Sequence, residues 1–532
     1  MVKRPVKVQE NWIDKAYRYV APIKAAERYK ARMTLALAGS YNGASRTRRS
    51  LADYLPTGGD ADTDLMFDLP LLRKRSRDLA RNNPLSLGAI NTVCTNVVGT
   101  GLKLQARIDR DFLGMSDEEA DQWESNVERE FRLWAESADC DAGRTLNFAG
   151  IQELVFRSTL ENGDCFVLMP FITRGNNPYS LCLQIIEADR VCNQNKMADS
   201  DTLVGGVRKD QYGAPIEYHI LKGHPGNIYS VKNLEWLVVP AFGGLTGRRN
   251  VIHLYKMLRP GQTRGVPYLA PVIESLKQLG NYTDAEVMAA VISSYFTVFI
   301  KSPQGDTDLA PMQPISEVGG SQGDSDYKLA SGAIVGLAEG EDISTANPGR
   351  PNAQFDPFVQ AVLRQIGVAL ELPFEILIKH FTASYSAARA ALLEAWRFFT
   401  AKREWLAQNF CQVAYEAWLT EAIATGRINA PGFIGGDPAI RNAYTGTEWT
   451  GPAPGQIDPL KEIQAAKERV DLGVSTLSRE TAALTGEDWQ KTHQQSVKEH
   501  KMREEAGLLL QNNPNNSFPS SADKTNSSGE NP

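Results

Sequence analysis

Residues 319–323 read Gly-Gly-Ser-Gln-Gly, the G-x-S-x-G pattern that exposes a nucleophilic serine on a sharp turn. That chemistry needs a strand before Ser321 and a helix after it. The sequence around it, 302–331, is rich in Gly, Ser, Asp and Pro and continues into Asp324-Ser325-Asp326, so it reads as a loop. Lys379-His380 sets a fixed cation beside the side chain that titrates near neutral pH. The pair has the makings of a proton-transfer site, although a loop that touches a polyanion explains it with fewer assumptions. Asp60, Asp62 and Asp64 imitate the start of a calcium loop, but Leu65 stands where that loop needs glycine. The six histidines contain no H-E-x-x-H and no paired zinc spacing; His219 and His253 fall in strand-like runs, as hydrogen-bonded core histidines do. No Gly-Lys dipeptide occurs, which excludes a Walker A phosphate loop. The six cysteines form no C-x-x-C pair and read as free thiols of a reducing compartment. No metal, cofactor or catalytic residue is expected.

Composition points the same way. A chain of 532 residues, 42% hydrophobic and 23% charged, can bury real cores across several domains or one elaborate subunit. A net charge of −6 argues against gripping nucleic acid with the whole surface, since phosphate neutralisation dominates such binding. The stretch from Met1 to Lys7 is charged and lacks a signal peptide's apolar run. Val287 to Ile300, the most apolar run, is interrupted by Ser293 and Ser294 and is too short for a bilayer.

The elements that would carry Lys379 and His380 are helical. Between Phe374 and Thr425 there is no glycine or proline, and Leu392, Trp396, Phe399, Leu406, Phe410, Val413 and Ala417 share one helical stripe. With Ser384 or Ser386 as cap and Gly426 as stop, the helix runs roughly 40 residues, or roughly 60 Å. Upstream, Lys24 to Arg49 is a basic, partly helical arm and 58–64 an acidic loop. A basic helix from Leu71 meets Asn82-Asn83-Pro84, an apolar helix follows to Val98, and Ser116 to Ser137 is amphipathic. From Asp164 to Tyr255 the period becomes two, with a turn at Asp210-Gln211-Tyr212-Gly213. Helices are expected from Pro271 to Ser294 and from Phe355 to Leu370, the latter burying Phe355, Phe358, Val362, Leu363 and Ile366. Strands are expected at 296–300, 333–337 and 343–345, and a Gly/Pro-rich loop at 431–455. Charged helices run from Pro459 to about Gly507, before a disordered tail of Asn, Ser and Pro.

Four stretches together resemble the lambda family of tailed-phage portal proteins. They are Arg75-Ser76-Arg77-Asp78-Leu79-Ala80-Arg81-Asn82-Asn83-Pro84 leading to Asn96-Val97-Val98-Gly99-Thr100-Gly101-Leu102; His253-Leu254-Tyr255 with Arg259-Pro260-Gly261-Gln262-Thr263-Arg264-Gly265-Val266-Pro267-Tyr268-Leu269; Gln354-Phe355 through Leu372-Pro373 with Ser384-Tyr385-Ser386-Ala387-Ala388-Arg389-Ala390; and Ile457-Asp458-Pro459-Leu460-Lys461-Glu462. Where the family usually has asparagine before the Tyr-Ser of the third stretch, this chain has Ser384.

The resemblance implies an α+β, elongated portal subunit with an α/β wing, helical stem, small β-containing clip, long kinked helix and helical crown. About twelve such subunits would form a ring. It divides the chain into a basic arm (1–70), wing (71–267), stem helix 1 (268–294), clip (295–350), stem helix 2 (351–371), tunnel loop (372–383), long wing helix (384–430), loop and crown helices (431–508) and a disordered tail (509–532). The implied role is a virion structure at the capsid vertex, assembled in the bacterial cytoplasm. It would conduct double-stranded DNA in packaging and ejection and dock the terminase large subunit, capsid and scaffolding proteins, and a head–tail joining protein, with no membrane partner. Lys379, His380, Thr382 and Ser384 become candidates for the tunnel loop. Glu274, Asp284 and Glu286 become candidate lining acids, and Lys301, Asp306, Asp308 and Asp324 candidates for terminase docking. A sliding polyanion favours a lining poor in cations, because many fixed phosphate contacts would trap it. Two other functions stay open: a serine hydrolase of prohead-protease type using Ser321, and a small nucleic-acid-binding module using the basic arm.

Overall fold

The computed structural model describes residues 19, 21–37, 42–44, 48–56, 58–175, 177–227, 235–244, 246–294, 298–301, 342–345, 354–381, 384–455 and 458–508. The expected strand at 333–337, Ser321 with its surrounding loop, and the tail after 511 lie outside those residues. The chain divides into two compact units, Met1–Asp64 and Leu65–Pro532. In the first, helix α1 (Pro22–Leu37) forms within the basic arm. The acidic stretch is less of a loop than expected. Asp60 accepts the Thr63 N–H at 2.8 Å and so starts a short helix, α2 (Ala61–Met66).

The second unit begins with α3 (Leu69–Asn82) and α4 (Pro84–Val97). Their boundary is set locally: the residue before Pro84 is pushed out of helical conformation, and Asn83 then caps α4 by accepting the Ser86 N–H at 3.0 Å. After strand β1 (Lys103–Ala106), α5 (Asp117–Ala135) starts with a reciprocal Ser116–Glu119 capping box. It buries Val127, Phe131 and Trp134. Helix α6 (Phe148–Asn162), capped by Asn147 and stopped at Gly163, lies in a stretch to which the sequence patterns assigned no element.

Two antiparallel sheets follow. Strands β2 (Asp164–Leu168), β3 (Gln184–Ile186) and β8 (Val251–Tyr255) are ordered β3-β2-β8, with Phe166 opposite His253. Strands β4 (Leu203–Val204), β5 (Val207–Lys209), β6 (Pro215–Leu221) and β7 (Trp236–Pro240) form a meander, with the expected turn at 210–213. Helix α7 (Ile273–Ser294) precedes β9 (Val298–Lys301), which pairs with β10 (Asp342–Thr345).

Helix α8 (Phe355–Ala369) buries Leu363 and Ile366 as expected, whereas Phe358 is 52% exposed. Phe358 makes an edge-on contact with Tyr282 of α7 at 5.1 Å, so one side of its ring is packed and the other is bare. The connection after α8 contains a short helix, α9 (Phe374–Ile378). The long helix runs from Tyr385 to Ala424 as α10 (Tyr385–Leu406), a π-helical turn at Ala407–Cys411 and α11 (Gln412–Ala424). Ser384 holds the cap position without a side-chain capping bond, and Gly426 at φ 73° ends the helix. Residues 431–455 carry more structure than a loop: α12 (Pro438–Tyr444) and β11 (Thr447–Thr450). Strand β11 pairs with β1, which local propensity cannot foretell because the partners lie far apart in sequence. Helices α13 (Pro459–Asp471), α14 (Leu477–Thr485) and α15 (Trp489–Glu505) complete the unit.

A single apolar cluster joins α3–α6, β1, β2, β8, α7–α12 and the π turn. Phe131 sits near its centre with edge-on contacts to Phe148, Tyr415, Trp418 and Trp449 at 5.0–6.0 Å. Through α11 the long helix is therefore part of this core. Among the described residues, no helix is long and apolar enough to cross a membrane.

Candidate functional site

Asp164, at the start of β2, is a fully buried carboxylate. Its carboxylate accepts from Arg73 Nη2 at 2.7 Å and from Arg264 Nε at 2.5 Å, and faces His253 Nε2 at 3.4 Å. Arg264, 1% exposed, also donates to the carbonyls of Ala188, Val191 and Gly205 at 2.5–2.9 Å. Arg73 donates to Asn162 O at 2.9 Å. Burial pushes the Asp164 carboxyl up, but the two guanidiniums and the His253 contact outweigh it, so the group stands far below the ordinary carboxylate range. Burial lowers the Arg73 guanidinium to about 10 and lowers His253 as well, only partly offset by Asp164. His253 is stacked between Phe166 and Tyr255 at 4.1 and 4.3 Å, the core histidine the strand pattern implied.

The Arg259–Leu269 motif is built around this centre. Gln262 accepts from the Leu258 and Arg259 N–H groups and donates to Arg264 O at 2.7 Å, while Tyr255 Oη donates to Gln262 O. Gly265 is required by contact: a Cβ there would lie 1.9 Å from Gly163 O. The centre welds α3, α6, β2, β8 and this motif together. It is closed to solvent and offers no reactive group.

The exposed candidate residues lie beyond α9. Lys379, at φ 55°, ends α9 in left-handed conformation, and the next N–H, of His380, donates to Glu375 O at 3.1 Å. Both side chains are exposed. Lys379, Phe381 and Arg389 line a groove of about 620 Å³ together with Trp396 and Phe399 of α10, Lys461, Glu462 and Arg469 of α13 and Glu480 of α14. Ser384 is exposed, and Thr382 lies outside the described residues. On α7, Glu274 and Asp284 are exposed, Glu286 is half-buried, and Leu276 and Leu279 are buried. Lys301 closes β9 opposite Asp342, while Asp306, Asp308 and Asp324 lie outside the described residues. The groove brings Lys379 together with Arg389; no described contact joins it to the α7 acids.

Among the described residues, Glu187, Asp189 and His224 have the spacing of metal ligands. Arg77 already sits there, paired with Asp189 and 3.5 Å from Glu187, so the anionic pair has its cation.

Sequence reasoning gave no role to Asp164, Arg264, Tyr268 or Arg403. Arg403 of α10 donates to Asn96 O, Val97 O and Pro452 O at 2.8–3.2 Å, placing a cation at the negative end of α4. A usable signal existed for Asp164, since an acid directly after a helix-stopping glycine and ahead of an apolar strand needs a buried partner.

Residues 47–403 match the family described as phage portal protein, lambda family. Portal protein B of Escherichia phage lambda is 26% identical over 490 residues, covering 88% of this chain and 91% of its own. The portal protein of Escherichia phage N15 is 26% identical with the same coverage, and a probable portal protein of Halomonas phage phiHAP-1 is 23% identical over 79% of this chain and 77% of its own. Two solved structures, the neck of a native gene transfer agent particle computed with C12 symmetry and of an empty one with C6 symmetry, are loosely similar. They are 14% identical, cover 78% and 83% of this chain and 93% and 99% of theirs, and have TM-scores of 0.40 and 0.43. With the family matched across most of its length, the chain belongs to the lambda family of phage portal proteins.

Proposed function

We propose that this portal protein forms a ring of about twelve copies at one capsid vertex, with double-stranded DNA passing through the centre in packaging and ejection. Its role is structural, not catalytic, and its place is the virion. Residues 268–294 and 351–371 are the stem, 295–350 the clip that docks the terminase large subunit and later the joining protein, and 372–383 the tunnel segment. Capsid and scaffolding proteins meet the wing. Lys379 and His380 touch phosphate, and Glu274 and Asp284 keep the stem from gripping it.

Family membership carries this reading. The ring is supported by apolar side chains left bare on the stem: Val287, Met288, Phe358 and Val368 are 52–83% exposed in a single subunit. Patches of that kind mark surfaces that another protein covers. Electron microscopy of purified protein should give rings with an open centre. A compact single-chain particle, at high concentration and with capsid proteins present, would refute the reading. The double variant K379A/H380A should assemble normally yet package or retain DNA poorly.

A further inference from the structure

The carbonyl of Leu370 closes α8 and is one of the helix-end acceptors that no intrahelical N–H can reach. Its neighbours are satisfied by backbone: Leu372 N–H donates to Gly367 O at 2.9 Å and Glu371 N–H to Val368 O at 3.3 Å. Leu370 O instead accepts from Tyr268 Oη, the hydroxyl of a residue 102 positions earlier in the chain. Tyr268 cannot readily give way. Its own N–H donates to Leu160 O at 2.9 Å, its ring lies over Phe398 of α10 with centroids 6.5 Å apart, and the residues just before it belong to the Asp164 centre. Burial and the nearby Glu371 carboxylate push the phenol up, so it keeps its proton and remains a donor.

The segment after Leu370 is also constrained. Glu371 and Lys379 both sit at φ 55°, left-handed positions normally given to glycine, and α9 between them buries Ile376 and Leu377. The course of the chain from the end of α8 to Lys379 is thus fixed by where α8 ends. We propose that Tyr268 is a positioning residue, whose hydroxyl anchors the end of α8 to the wing and thereby sets where Lys379 and His380 are presented. This rests on the reading of those two residues as phosphate contacts.

The test is Tyr268→Phe in the full-length ring, which removes one hydroxyl and keeps the ring over Phe398. Hydrogen exchange over residues 371–378 should quicken by roughly 5–30-fold, the effect of one lost buried hydrogen bond, while α6 and β2 keep their protection. DNA retention in filled particles should fall, and its salt dependence should become shallower, as in K379A/H380A, because displaced cations release fewer counterions. A purely structural hydroxyl would leave the salt dependence unchanged. Exchange within twofold of wild type, or faster exchange with wild-type retention and salt dependence, would overturn the positioning role. If K379A/H380A itself retains DNA normally, the phosphate reading fails, and the positioning role built on it falls too. Normal retention by Y268F alone removes only the positioning role.

Discussion

Replacing Asp164 by asparagine keeps the shape of the side chain and removes its charge. Arg73 and Arg264 would then be buried cations without the carboxylate they share, at 4% and 1% exposure. Breaking a buried ion pair from one side costs about 3–5 kcal/mol, because the remaining charge stays desolvated. Against a typical domain stability of about 5–15 kcal/mol, that is a large share. For a cooperative unit of about 150–250 residues the loss corresponds to a fall of roughly 6–20 °C in unfolding temperature. Thermal unfolding followed by tryptophan fluorescence can read it, since Trp134 is buried in the apolar cluster. Glu394→Gln is the control: its pair with Arg397 is exposed on both sides and should be worth under about 1 kcal/mol. A D164N fall no larger than that of E394Q would refute the argument that this centre holds α3, α6, β2 and β8 together. The pH dependence has a definite sign. Asp164 is depressed in the fold, so its stabilisation is complete above the ordinary aspartate value of about 3.9 and is lost progressively as pH falls from there through its much lower folded value. His253 is depressed too, so the unfolded chain takes up a proton first and stability declines as pH drops below about 6.5.

Two glycines should respond in opposite directions to alanine. Gly265→Ala drives a methyl group into the Gly163 carbonyl and should cost more than about 3 kcal/mol or abolish folding, visible as insoluble expression. Gly280→Ala, mid-helix in α7 with no atom within 4 Å of the new Cβ, should stabilise by about 0.5–1 kcal/mol in a melting experiment. Arg403→Ala removes three charge-assisted bonds from one side and should cost about 2–4 kcal/mol, with faster hydrogen exchange at the end of α4 and around Pro452. Glu480→Gln weakens the two-bond link to Arg469 and should loosen α14 from α13 in exchange measurements while α5 is unaffected.

Much of the helical scaffold can be read directly from periodicity and caps. The α3–α4 boundary follows from Asn83-Pro84, α5 from its capping box, and the long helix from an unbroken apolar stripe. Non-local structure is harder to read. Strand β11 exists because β1 is there to pair with it, and α12 fills a stretch whose glycines and prolines look like loop. Helix α6 has a legible cap and stop, but eight of its residues are buried, including Gln152 and Asn162, so its surface shows too little polar contrast to mark a face.

Legibility and function run in opposite directions here. One of the stretches that carry the resemblance, 259–269, turns out to be an internal brace: Gln262, Arg264 and Gly265 are spent on packing around Asp164, and Tyr268 on holding the end of α8. They are distinctive because buried polar groups tolerate few substitutes. Under the proposed role, residues that let a polyanion slide past would face the contrary demand. Each contact must be weak and exchangeable, so an exposed Lys, His or Glu suffices and leaves little pattern. Lys379 departs from that rule in one respect: it sits at φ 55°, where a side chain costs about 1–2 kcal/mol relative to glycine. Keeping lysine at such a position makes sense if its charge is used. Lys379→Gly should therefore relieve backbone strain and tighten the end of α9 in hydrogen exchange, yet reduce DNA retention, whereas a lysine without a role would gain stability and lose nothing.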